Sequence, residues 1–70
     1  MRTIGRFTPS GYTTLHMEPS HNSAACGETR PPEIGDVYEI TQNSEGVWYR
    51  LCESDTIPMW ASEDDGTFSQ

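Results

Sequence analysis

The chain has 70 residues, 33% of them hydrophobic and 21% charged, with eleven acids, four arginines, no lysine and a net charge of −7. That length makes a single domain (1–70) with a small core, and no apolar run is long enough to span a membrane as a helix. So few cations exclude direct nucleic-acid binding as the expected mode, because neutralising phosphates takes Lys/Arg clusters.

The charge is uneven. Residues 1–30 hold three arginines against two glutamates, whereas residues 31–70 hold nine acids against Arg50 alone. An acidic surface steers in a basic partner, here expected to be a protein with a basic nucleic-acid-binding surface. Solubility alone is the competing explanation.

In chain order, residues 1–12 read as an N-terminal extension or extra strand, with a strand near 3–7 and a turn at Thr8-Pro9-Ser10-Gly11. Arg2 and Arg6 are not followed by an apolar stretch, so no secretory leader is expected and the cytoplasm is the predicted location. Residues 12–17 suit a strand through Thr13, Thr14, Leu15 and Met17. Residues 18–33 are rich in Pro, Ser, Asn and Gly and predict a long proline-containing loop. Within it, Ala24-Ala25-Cys26 is short enough for either a strand or a helical turn.

Ile34-Gly35-Asp36 predicts a turn, followed by a strand over Val37-Tyr38-Glu39-Ile40-Thr41 with Tyr38 and Ile40 on one face. Asn43-Ser44-Glu45-Gly46 predicts a hairpin turn, its glycine supplying the positive φ. Val47-Trp48-Tyr49-Arg50-Leu51 is the next strand. Since Arg50 is a poor core residue, Tyr49 and Leu51 are expected inside and Trp48 and Arg50 outside. Residues 53–57 predict a second turn and Ile57–Ala61 a strand with its proline near the start. Ala61 joins the expected inward set. Residues 63–70 read as an acidic tail that makes one helical turn and then frays.

The order of these pieces resembles the bacterial-type SH3 (SH3b) family. Leu15-His16-Met17-Glu18, Gly35-Asp36-Val37-Tyr38-Glu39-Ile40, Trp48-Tyr49-Arg50-Leu51 and Met59-Trp60-Ala61-Ser62 match that family's four motifs in order, over about residues 13–65. Met59 stands where the family has Gly, the 18–33 loop is longer, and residues 1–12 have no counterpart. The resemblance implies an all-β, SH3-like antiparallel barrel of five to six strands over residues 13–62. It also implies a binding role toward peptides, cell-wall glycans or proteins.

Candidate chemistry is sparse. His16, His21, Cys26 and Cys52 are all zinc-ligand types, but their spacing lacks the short knuckles of structural sites. In a reducing compartment the two cysteines are expected to stay free. No nucleophile, base and oxyanion turn converge, so an enzyme is not expected and no cofactor is implied. Trp48 and Trp60 are favoured contact types. With Arg50 and the acids Glu53, Asp55, Glu63, Asp64 and Asp65 they form the expected partner-binding set. The resulting expectation is a non-enzymatic interaction module, of a kind suited to a phage- or mobile-element-encoded inhibitor of a host protein. The alternatives are an SH3b-type peptide or glycan binder and an acidic mimic of nucleic acid.

Overall fold

The computed structural model describes residues 3–54 and 56–70. The chain is all-β. Its strands are β1 (Gly5–Pro9), β2 (Thr13–His16), β3 (Ala25–Thr29), β4 (Gly35–Val37), β5 (Glu39–Asn43), β6 (Gly46–Arg50), β7 (Trp60–Ser62) and β8 (Gly66–Ser69), with a 3-10 turn over Glu63–Asp65. They form two antiparallel sheets, a three-stranded one in the order β4-β1-β8 and a five-stranded one in the order β3-β2-β7-β6-β5. The all-β expectation holds, but the strands do not close into one barrel.

The run 35–43 feeds both sheets. β4 pairs with β1 and β5 with β6. The break between them has a local cause. Glu39 faces Arg50 in the ladder, and the Tyr38 N–H also donates to the Arg50 carbonyl at 2.8 Å. Two successive residues thus address one partner, which is bulge geometry and bends the strand. The bend also resets which side chains point inward. Val37 is fully buried, Tyr38 is half-buried, and Ile40 is 41% exposed on the edge strand. The expected inward placement of Tyr38 and Ile40 is thereby corrected.

Between the sheets lies a core of Phe7, Leu15, Val37, Tyr49 and Ala61, with Cys26, Val47, Leu51, Met59 and Phe68 packed against it. Tyr49 is its centre, 5.6 Å from the Phe7 ring and stacked at 5.1 Å on Phe68. The stack exists because the C-terminal residues do not fray. β8 pairs with β1 along Arg6↔Ser69, Phe7↔Phe68, Thr8↔Thr67 and Pro9↔Gly66. Gly66 has to be glycine, because any Cβ there would run into the Thr8 carbonyl and the Phe7 ring.

Two further expectations change. The 18–33 segment is not loop throughout: of the two readings of Ala24-Ala25-Cys26 the strand holds and extends further, as β3 over Ala25–Thr29, which pairs with β2 from Thr13↔Thr29 to His16↔Ala25. The strand before the second tryptophan starts late, at Trp60. Met59 there takes a left-handed φ of 57°, a region non-glycine residues seldom adopt. The Leu51 and Cys52 amides still reach across to the Met59 and Pro58 carbonyls at 2.9 and 3.1 Å. Among the described residues, no helix is long and apolar enough to cross a membrane.

Candidate protein-binding surface

The β5–β6 hairpin ends in a tightly tied turn. The Glu45 N–H donates to Asn43 Oδ1 at 2.8 Å, and Gly46 takes a φ of 103°. The turn also anchors its neighbours. Glu45 Oε1 accepts the His21 N–H at 2.9 Å and Asn43 Nδ2 donates to the Pro19 carbonyl at 2.7 Å, so loop 17–24 is docked on the tip. On the other side Glu63 Oε2 accepts the Val47 N–H at 2.9 Å, and Ser62 Oγ caps the 3-10 turn by accepting the Asp64 N–H at 3.2 Å. The carboxylates of Glu45 and Glu63 therefore flank the turn at one end of the molecule, and Asp64 follows Glu63 in the 3-10 turn. Hydrogen bonding to the charged form favours it. The His21 amide foremost, then the Ser20 hydroxyl and the nearby histidines, hold the Glu45 carboxyl below its ordinary value. Among the described residues none of these three carboxylates is in a salt bridge.

Beneath the docked loop lies Trp48, which has no exposed surface. The His21 ring covers it at 4.7 Å between centroids and the His16 ring meets it edge-on at 5.9 Å. His16 is itself held through Nδ1, 3.1 Å from the Ser23 carbonyl. Arg50, expected outside, is 9% exposed. Its guanidinium reaches Glu39 Oε1 at 3.4 Å and donates to the Glu53 and Ser54 carbonyls at 3.2 and 3.0 Å, clamping the loop that follows β6. Trp60, opposite Arg50 in the ladder, is buried as well. The outward placement of Trp48 and Arg50 is thus corrected. That face of β6 is roofed by loop 17–24 at one end and pinned by the arginine clamp at the other.

The expected binding residues therefore separate. Glu63 and Asp64 are exposed at the tip, whereas Asp65 is half-buried and spends its carbonyl on the Ser10 amide and hydroxyl and the Thr13 hydroxyl. Glu53 lies beyond the opposite end of β6, and Asp55 falls outside the described residues. The zinc candidates are not brought together. His16 and His21 approach each other on the Trp48 side, while Cys26 packs against the core and both cysteines are free thiols. No group of three or more metal-binding side chains converges among the described residues.

Sequence reasoning passed over Glu45, which it used only as a turn residue. A carboxylate inside a tight hairpin turn is a signal, because the turn fixes where the charge points. The histidine roof left no comparable trace, since nothing local marks which loop will cover a ring.

No protein-family model, no curated protein and no solved structure matches the chain.

Proposed function

We propose that the protein is a non-enzymatic interaction module that grips a basic partner protein through the acidic end formed by Glu45, Glu63 and Asp64. The observation that carries this reading is the fixation of two carboxylates by backbone amides, His21 to Glu45 and Val47 to Glu63, with no salt-bridged cation among the described residues. Charges held in place lose little entropy when a lysine or arginine arrives, and the overall charge of −7 speeds the encounter. Such carboxylates resemble phosphates to a surface built for nucleic acid, so the partner class is a nucleic-acid-binding protein and the effect on it is inhibition. The bent run shared by two small sheets supports the finer fold reading, an SH3-like module. Burial of both tryptophans weighs against a glycan or peptide groove built on those rings.

The test is titration of the isotope-labelled chain with oligo-arginine at low and high salt. Amide shifts are expected around Glu45, Glu63 and Asp64, and the affinity is expected to fall steeply as salt screens the contact. Shifts confined to residues away from Glu45, Glu63 and Asp64, or no binding at low salt, would overturn the reading.

A further inference from the structure

The described fold leaves four sheet edges, on β3, β5, β4 and β8. They are not equivalent. β4 has three residues and β8 four, and β3 carries a register shift opposite Leu15/His16. β5 alone pairs without a shift over five residues, and all of them are exposed or half-exposed.

The direction of its free backbone groups follows from one hydrogen bond. The Val47 N–H points away from β5, to Glu63 on the β7 side. Backbone groups alternate sides along a strand. The residues of β6 that face β5 are therefore Trp48 and Arg50, and the Tyr38 N–H donating to the Arg50 carbonyl agrees. Their partners Thr41 and Glu39 spend their backbone groups on β6. Ile40 and Gln42 are left with N–H and C=O directed outward, along an open edge. The Ile40 side chain stands exposed beside them, and the edge leads to the turn that carries Glu45. Glu63 lies over that turn, its Oε2 2.7 Å from where a Cβ on Gly46 would sit.

We propose that this edge takes up an extended basic segment of the partner as an added strand. Ile40 and Gln42 supply the main-chain ladder, Ile40 meets an apolar side chain, and the acidic tip receives a Lys or Arg at the segment's end. Strand addition of this kind draws affinity from main-chain bonds and specificity from alternate side chains. The inference rests on the acidic end being the gripping surface and adds the form of what it grips.

The probe is an extended peptide of alternating lysine and valine, bound to the full chain. Binding is expected to slow hydrogen exchange at the Ile40 and Gln42 amides. Gln42→Pro removes an outward donor without touching the β6 ladder and is expected to weaken binding by about tenfold, the loss of about one well-formed hydrogen bond. Ile40→Lys alters only an exposed side chain, and it is expected to weaken the same peptide by charge repulsion even if the proline variant fails to fold. Unchanged affinity in Ile40→Lys together with a folded Gln42→Pro, or unprotected Ile40 and Gln42 amides, would overturn the proposal. If Glu45→Gln with Asp64→Asn abolishes binding while both edge variants bind normally, the acidic grip stands and the added strand falls. If the edge variants lose binding while the charge variants and salt leave it unchanged, the added strand stands and the acidic grip falls. A dimer in sedimentation that Gln42→Pro dissolves, with no peptide uptake, makes the occupant a second copy and overturns the proposal.

Discussion

At the residue scale, Trp48 shows how little a strand's alternation says about burial. Its ring is enclosed because His21 and His16 lie on it, and those residues are held there by Glu45 and Ser23. Trp48→Ala is expected to cost about 3–5 kcal/mol, the range for a buried aromatic, read as a lower urea midpoint. Two titrations report on the neighbourhood. The carboxyl of Glu45 is held below its ordinary 4.5 by the His21 amide foremost. A depressed folded value means the stabilisation is complete above pH about 4.5 and is lost as pH falls through the lowered value. Acid unfolding followed by circular dichroism is expected to show that loss, and Glu45→Gln to show a shallower acid slope. Tyr49 has the opposite sign. Burial first, then the Glu63 charge, raises its phenol above 10.0, so its contribution is present below pH about 10 and is lost as pH rises through the raised value. Tyr49→Phe is expected to hold its thermal midpoint at alkaline pH where the parent loses it.

At the element scale, the decisive pieces are the ones that pair far along the chain. β8 has four residues after an acidic turn, which carry little pattern of their own and by sequence predict a fraying tail. Paired with β1, it completes the three-stranded sheet and sets Phe68 on Tyr49. Phe68→Ala is expected to cost about 2–3 kcal/mol, less than a fully buried ring because Phe68 is only half-buried. Chemical denaturation of the purified variant measures it. The bulge at Tyr38/Glu39 is the second such piece. By bending one continuous run it hands three residues to one sheet and five to the other. It turns Ile40 from an expected core residue into an edge residue, and the candidate strand-addition site follows from it.

At the scale of the whole molecule, the charge and the architecture act together. An acidic chain with two of its carboxylates tied at one hairpin tip is expected to bind oligo-arginine there, in a salt-dependent manner, and to protect the β5 edge when the ligand is extended. Much of the architecture was legible beforehand. The Asn43–Gly46 turn, the strand after it, the Tyr49 and Ala61 core positions and the 3-10 turn are where local chemistry puts them. Part of the candidate site was legible too, in Glu63 and Asp64. Glu45 is visible in the sequence only as a turn former, and Trp48 and Arg50 depart from their expected outward placement because both faces of β6 are covered.

The amino-acid sequence by itself determined an all-β chain, its hairpin turn and its acidic second half. Turn propensities, period-two alternation and net charge are local or additive properties. The tertiary structure alone decided that loop 17–24 roofs Trp48, that Arg50 clamps a loop, that β8 closes on β1 and that β5 stays open. Each of these depends on partners distant in sequence, such as Pro9 with Gly66 or His21 with Glu45. A strand's pattern defines two faces and two edges, and only the folded chain settles which of them its other segments cover.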